Sequence, residues 1–319
     1  MLATQGDPNE TMAVPSVSVV IPAYNAAWCL PDAVRSLREQ TYQDLEVVLI
    51  DDGSTDTTWE VMQELAASWP GVRPFRFANG GTPVAINRGL KEARGQWMSV
   101  VGADDLWKPE LLQRCMDCFA DHPELSIVYS PMAPIRRDGT AMRGHSKRCH
   151  AGQLTEKLFH SIFIHDSSTI FHRRVFETCG GFDETMQVGS GHEFWLRVST
   201  RFEFGLIDEP LALRRWTESS LTRTNRARSR RFKAGMLERF YFEHEGEGLL
   251  ARGPAFRRLA RVHYAVAKAL VMERQYAEAR LYLAKARRYW PAYPKPHLLC
   301  PVAWLGDALC GNHRKPSQV

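Results

Sequence analysis

Three observations in the sequence predict an α/β fold: a mostly parallel central sheet with helices on both faces, followed by an α-helical C-terminal region. Short apolar runs rich in β-branched residues alternate with stretches of helical periodicity over the first two thirds of the chain. The runs are nearly continuous in hydrophobicity, as strands buried on both faces must be. Each of the main runs stops at a proline, a glycine or an aspartate, and beyond about residue 226 almost everything reads as helix.

In chain order, Val17–Ile21 is the first run and is ended by Pro22. Residues 28–39 read as a helix, and Leu45–Ile50 is a second strand, ended by Asp51, Asp52 and Gly53. A helix over 56–68 can be capped by Thr55 or Asp56, and Arg73–Phe77 is a weaker strand. Residues 82–93 and 109–120 are helical, with Pro83 and Pro109 placed where first-turn prolines belong. Between them Trp97–Val101 forms a strand ended by Gly102, and Ser126–Tyr129 forms a fifth. Residues 131–165, with Gly139, Gly144, Gly152 and many cations, read as an irregular loop or lid. Ser167–Phe171 reads as a strand, Gly180-Gly-Phe-Asp183 as a turn, His192–Thr200 as a helix and Phe202–Ile207 as a last strand. The expected organisation is a polar leader over 1–14, an α/β domain over 15–225 and a helical region over 226–319, with the boundary near 222–228.

Composition excludes several classes. The 319 residues suffice for about two domains, and 24% charged with 44% hydrophobic residues is the mix of a globular protein. No apolar run reaches about 18 residues, the length a membrane-spanning helix needs. The first 14 residues lack the charged and apolar regions of a signal peptide, and the seven scattered cysteines read as reduced, so a cytoplasmic location is expected. Cys115 and Cys118 have no second pair for a zinc site. A net charge of +5 is too weak to argue for nucleic acid as a partner. Arg223, Arg226, Arg228, Arg230, Arg231 and Lys233 form a cationic block that reads either as an anion-attracting patch or as a solvated helix face.

Ligands of open parallel sheets bind beyond the carboxyl ends of the strands. Those ends here carry Pro22-Ala-Tyr24, Asp51-Asp52-Gly53-Ser54 and Gly102-Ala-Asp104-Asp105. A strand-end aspartate alone is usually a cap or turn former. Two acidic pairs on one edge repel unless a cation lies between them or one carboxyl is protonated, and oxygen-only donors suit Mg²⁺ or Mn²⁺ shared with a diphosphate.

The same residues carry a family resemblance. Val17-Ser-Val-Val-Ile-Pro-Ala-Tyr-Asn25, Gln40-Thr-Tyr42 and Val47-Val-Leu-Ile-Asp-Asp-Gly-Ser-Thr-Asp56 resemble the start of a family 2 glycosyltransferase of the GT-A fold. Asn79-Gly-Gly-Thr-Pro83, Asn87-Arg-Gly89, Ala93-Arg-Gly-Gln-Trp97, Ala103-Asp-Asp-Leu-Trp-Lys-Pro109, Gly180-Gly-Phe-Asp-Glu184 and Phe194-Trp-Leu-Arg197 continue in the family's order, so the match covers about 15–222. The resemblance implies a nucleotide-sugar donor, UDP-linked by preference, and inversion at the anomeric carbon. Pro22 and Tyr24 would line the base pocket, Asp52 would accept from the base, Asn87 belongs with the nucleotide-binding positions, and Asp104 with Asp105 would hold Mn²⁺ or Mg²⁺ and the diphosphate. The acceptor would be a glycan or a lipid-linked glycan.

Two departures stand out. Gly102 replaces the first acid of the D-x-D motif. Ser190-Gly191 replaces the acidic pair in which the family keeps its general base, leaving Glu193 and His192 as nearby candidates beside a base from elsewhere or none. Arg215-Trp216 is similar to the arginine–tryptophan pair of processive synthases, but Ala212 stands where a glutamine is expected and no membrane spans follow, which favours single addition. Arg214, Arg215 and Trp216 are candidates for diphosphate or acceptor contacts, with an ion pair from an arginine to Asp208 or Glu209 as the structural alternative.

Residues 260–293 resemble one tetratricopeptide-like helix pair, with Val266, Ala267, Leu270, Ala279, Leu283, Ala286 and Pro291 at its small and apolar positions. One such pair cannot bury its own faces. It is expected to pack on the catalytic domain, on a second copy as a homodimer, or on a partner. The stretch 287–305, with Tyr289, Trp290, Tyr293 and Leu298–Leu305, is a candidate for peripheral contact with the inner face of a membrane, or else for core packing. Two rivals stand beside the transferase: a catalytically inactive nucleotide-sugar-binding or docking protein, favoured by Ser190-Gly191, and a nucleotidyltransferase, disfavoured because Pro22-Ala-Tyr-Asn25 is no glycine-rich phosphate loop.

Overall fold

The computed structural model describes residues 15–143, 148–186, 188–216 and 226–311, excepting the side chains of 226 and 306–311. The leader 1–14 and most of the boundary expected near 222–228, including Arg223, lie outside the described residues.

The strands are β1 (Val17–Ala23), β2 (Leu45–Asp51), β3 (Val72–Arg76), β4 (Trp97–Val100), β5 (Leu106–Trp107), β6 (Ile127–Tyr129), β7 (Met132–Ile135), β8 (Thr169–His172), β9 (Gly205–Leu206) and β10 (Ala212–Arg215). Seven form the main sheet in the order β3-β2-β1-β4-β8-β6-β9, and β5-β10-β7 form a second, small sheet. The first four strands of the main sheet are parallel, while β8 runs antiparallel to both β4 and β6.

Strand alternation explains the two-sided core. Val19, Ile21, Val47 and Leu49 face α1 (Leu30–Arg38), which buries Leu30, Ala33, Val34 and Leu37 at helical spacing. Val20, Val48 and Ile50 point the other way and meet Ile86 and Leu90 of α3 (Thr82–Glu92); α2 (Thr58–Ser68) lies between these helices in sequence and packs on β3. Each fully buried Val, Leu or Ile side chain contributes roughly 1.5–3 kcal/mol. The cap expected at Thr55 or Asp56 falls instead on Thr57, which makes no side-chain cap bond; Asp56, one residue earlier, accepts at Oδ1 from the Thr58 amide at 3.0 Å. Pro83 lies in the first turn of α3, but Pro109 precedes α4 (Leu111–Asp121) instead of starting it.

The stretch 131–165 is more ordered than expected. It contains β7 and α5 (Thr155–His160). The two-residue strand β5, the strand β10 and α6 (Arg173–Cys179) were not legible as periodic runs, because they are too short to show a period. The last strand shrinks from 202–207 to Gly205–Leu206, and the helix expected from His192 begins two residues earlier, as α7 (Ser190–Val198).

The helical region comprises α8 (Arg226–Glu243), α9 (Gly246–Leu249), α10 (Arg252–Met272), α11 (Tyr276–Tyr289) and α12 (Pro294–Gly311). It is not an appendage. One apolar cluster runs from Phe159 on α5 through Phe240 and Tyr241 on α8 to Leu259 and Val266 on α10. Phe159 lies 6.0 Å from Phe240 between ring centroids, and Arg258 donates to the Phe159 carbonyl at 3.4 Å. Of the positions singled out over 260–293, Val266, Ala267, Leu270, Ala279, Leu283 and Ala286 are buried and Pro291 is exposed. Packing against the rest of this chain is therefore what covers the α10–α11 pair. In the cationic block Arg231 pairs with Glu278 on α11, and Arg230 donates to the Ala265 carbonyl, so these two are engaged within the helical region. On α12, Leu298 and Trp304 are 76% and 60% exposed, which rules out core packing for those two side chains. Among the described residues no helix is long and apolar enough to cross a membrane.

Candidate functional site

The carboxyl ends of β2, β1 and β4 open at one edge of the sheet, so Asp52 and the 102–105 loop flank Tyr24 about 10 Å apart, two strand spacings. Because β8 is antiparallel to β4, the segment that precedes it, Asp166–Ser168, reaches the same edge. That direction is what brings the two halves of the site together.

On the β1–β2 side the loops are fastened to each other. Asn25, in the left-handed region at φ 51°, accepts at Oδ1 from the Thr55 amide at 2.8 Å, and its own amide donates to Ser54 Oγ at 3.0 Å. Asp51 is fully buried; it accepts from the Ser54 amide at 2.9 Å and lies 3.0 Å from Arg76 Nε, so it is a turn former and not a ligand. Asp52 is buried too. Its Oδ1 and Oδ2 accept from the Gly80 and Gly81 amides at 2.9 and 2.8 Å, with Arg88 at 3.4 Å from Oδ1. Pro22 is half-buried and Tyr24 is 53% exposed, so the ring of Tyr24 is available to a flat ligand.

Asn87 is corrected. Its amide nitrogen donates to the Phe182 carbonyl at 2.8 Å and to Glu184 Oε1 at 2.9 Å, and its oxygen accepts from the Phe182 amide at 2.8 Å. The amide is engaged inside the protein, where it anchors the 180–184 turn to α3, and is not offered to a nucleotide.

On the β4 side the two carboxylates differ. Asp105 is buried; its Oδ2 accepts from Ser167 Oγ at 2.6 Å and its Oδ1 from the Arg215 amide at 3.2 Å. Burial and the neighbouring Asp104 charge push its carboxyl up to about 7. Asp104 is half-buried, and its carboxylate accepts no hydrogen bond from another described residue. Burial raises it, while the Arg214 and Arg215 charges pull the other way. A Cβ at Gly102 would stand 3.1 Å from Asp105 Oδ2 and 3.2 Å from Asp104 Oδ1, so both carboxylates converge on the space the glycine leaves. Two hard oxygen donors, the charge of Asp104 raising Asp105 and Asp104 itself with no hydrogen-bond partner among the described residues, suit a divalent cation completed by a diphosphate. No cluster of three or more candidate ligands occurs among the described residues, so Asp104 would be the protein's direct donor and Asp105 its support.

Arg215 is a structural residue. It is buried, donates from Nε to the Asp104 carbonyl at 3.1 Å, lies 3.2 Å from Asp32 Oδ2 and also bonds the Arg137 carbonyl. The partner is therefore Asp32; Glu209 pairs with Arg114 instead. Arg214 is exposed beside Asp104, and Trp216 is 49% exposed.

Neither expected base is poised. His192 is buried with Nε2 2.7 Å from the Leu158 carbonyl. Glu193 is clamped by Arg197 at 2.7 and 3.0 Å, and Arg197 is itself fixed to the Cys179 and Gly181 carbonyls. Residues two apart on a helix point to nearly opposite sides, so Glu193 lies away from the face that Gly191 and Trp195 present. That face meets Asp166, whose Oδ1 accepts from Trp195 Nε1 at 2.6 Å. Asp166 and Ser167 were missed as site residues. Their only signal in the sequence is the polar group His165-Asp-Ser-Ser168 before a strand, and it points to the site only once that strand is known to be antiparallel.

Comparison with known proteins follows the same lines. Residues 18–180, about half of the chain, match the family model described as "Glycosyl transferase family 2". Over 58% of this chain, the chondroitin synthase of Escherichia coli is 32% identical and the hyaluronan synthase of Pasteurella multocida is 31% identical. The chain spans only 27% and 19% of the lengths of those two relatives. Among solved structures, S. aureus TarS in complex with UDP-GlcNAc superposes with a TM-score of 0.60 at 17% identity, covering 94% of this chain and 93% of that one. The mannosyltransferase PcManGT from Pyrobaculum calidifontis in complex with GDP-Man and Mn²⁺ superposes with a TM-score of 0.58 at 20% identity, covering 96% and 89%. At these identities the likeness is one of fold, and it extends over the helical region.

Proposed function

The chain belongs to glycosyl transferase family 2, and on that premise we propose that it moves a single sugar from a nucleoside-diphosphate sugar to a hydroxyl of a glycan or lipid-linked acceptor, with inversion and with Mn²⁺ or Mg²⁺. The observation that carries this reading is the Asp104 carboxylate, unengaged at the ligand edge, backed by Gly102 and flanked by the exposed Arg214. A UDP-linked donor is preferred because Asp52 and Tyr24 match the motif positions at which the resemblance puts the base, and a similar fold carries UDP-GlcNAc; the GDP-Man complex of another keeps guanine as the competing base.

The chain's residues divide the work. Tyr24 offers an aromatic face to the base. Asp52 still has lone pairs beyond those bonded to the Gly80 and Gly81 amides. Asp104 would hold the cation, which when bound offsets charge on the leaving diphosphate. Arg214 adds a second positive charge on that side. Family membership sets aside the nucleotidyltransferase.

Thermal shift of the full chain against UDP, GDP, CDP and dTDP, with and without Mn²⁺, tests the reading, because a ligand that binds only the folded state raises the melting temperature. A metal-dependent rise for one nucleotide, lost in Asp104→Ala, is expected. No rise with any nucleotide in folded protein would overturn it.

A further inference from the structure

A transfer to a hydroxyl needs a group that takes its proton as the new bond forms. The carboxylates around the site are nearly all engaged: Asp51 by Arg76, Asp52 by two amides, Asp105 by Ser167 and the Arg215 amide, Glu193 by Arg197, and Asp183 by Thr185 with Arg239 at 3.4 Å. Asp104 faces the cation. Asp166 is different. Trp195 fixes its Oδ1, its Oδ2 makes no hydrogen bond among the described residues, and part of the residue stays open to solvent.

Its place is equally specific. The next residue, Ser167, accepts from the Gly102 amide at 3.0 Å and donates to Asp105, so Asp166 begins where the diphosphate side ends. On its other side stands Gly191. A Cβ there would lie 2.6 Å from Asp166 Oδ2, 2.9 Å from Oδ1 and 3.2 Å from Cγ. A side chain at 191 and the carboxylate at 166 therefore exclude each other. Burial also pushes the Asp166 carboxyl up to about 6, with the Trp195 bond opposing the rise, which suits a proton acceptor near neutral pH.

We propose that Asp166 is the catalytic base of the transfer, an inference that rests on the glycosyltransferase reading above. The acceptor oxygen uses a lone pair to bond the anomeric carbon. The bond from that carbon to the diphosphate oxygen breaks, and its electron pair leaves with the nucleotide. The acceptor proton passes to Asp166 Oδ2 and then to solvent. The glycine at 191 is then the opening that admits a base carried by another segment, and the loss of acids at 190–191 no longer argues for an inactive docking protein.

The test uses the full chain, Mn²⁺, and UDP-GlcNAc or GDP-mannose with water as acceptor, reading release of UDP or GDP. Asp166→Asn keeps an oxygen for Trp195 and is expected to lower turnover about 10²–10⁴-fold. Nucleotide affinity should stay within about threefold, since only a transition-state interaction is lost. The double variant Asp166→Gly/Gly191→Asp, which returns a carboxylate to the same space from the helix, should recover at least about tenfold over Asp166→Gly alone. Turnover of Asp166→Asn within about threefold of wild type would overturn the inference. So would a loss that Gly191→Asp does not restore, which would make Asp166 structural. Wild type that neither binds nucleotide nor releases it from either donor would overturn the transferase reading itself, a result distinct from both.

Discussion

The two sides of the ligand edge are built in different ways. On the nucleotide side Tyr24, Asp52, Gly102, Asp104 and Asp105 all follow directly on the ends of β1, β2 and β4, and only Arg214 comes from elsewhere, on β10, so residues adjacent in sequence are largely adjacent in the site. On the acceptor side the groups that meet come from 25 residues apart, Asp166 before β8 and Gly191 on α7. A side built locally declares itself by motif. A side built by juxtaposition can exchange which segment supplies a carboxylate without losing the carboxylate.

The largest expected effect is on the nucleotide side. Asp104→Ala should lower turnover by at least about 10³-fold, the scale on which losing electrostatic stabilisation of a leaving group acts; steady-state nucleotide release checks it. If the loss were no greater than that of Asp166→Asn at one fixed Mn²⁺ concentration and also vanished at high Mn²⁺, the cation would have other holders. Next comes Asn87, which joins the sides by tying α3 to the 180–184 turn. Asn87→Ala leaves buried polar groups of that turn unpaired and should cost about 2–3 kcal/mol in denaturant unfolding.

A pH series sharpens the contrast further. The Asp166 carboxyl is raised to about 6 by burial, so folding favours its protonated form. Its contribution to stability is present below the ordinary carboxylate range and is lost as pH rises through about 6. The wild type should therefore lose up to about 2 kcal/mol relative to Asp166→Asn between pH 4 and pH 7.5, read from paired melting curves. A difference that stayed flat with pH would mean the carboxyl is not perturbed. The smallest effect is expected at Glu193. Glu193→Gln breaks a partly buried pair with Arg197 and should cost about 1 kcal/mol of stability while leaving turnover within about threefold. A loss of turnover on the scale expected for Asp166→Asn would return the base to α7.

The long periodic segments were legible, since strands buried on both faces and amphipathic helices repeat over enough residues to show a period. The place of Gly102 and Asp104 just beyond the end of β4 was legible by motif. What escaped falls into two physical classes. β5, β10 and α6 are held by tertiary contacts such as those of Arg215, not by local pattern. Asp166 escaped because its place depends on strand direction, which the apolar run at 167–171 does not encode. Asn87 and Glu193 were misread for a related reason: a polar residue at a suggestive spacing reveals its type but not what it already holds.

The apolar cluster that passes from Phe159 into α8 and α10 has a consequence for how the molecule comes apart. Parts that share one core stabilise each other, so loosening the helices also exposes apolar surface of the α/β part. The helices after residue 226 are then the outer wall of the transferase fold, and the sheet's acceptor-side face has no solvent-ready surface of its own once they are gone.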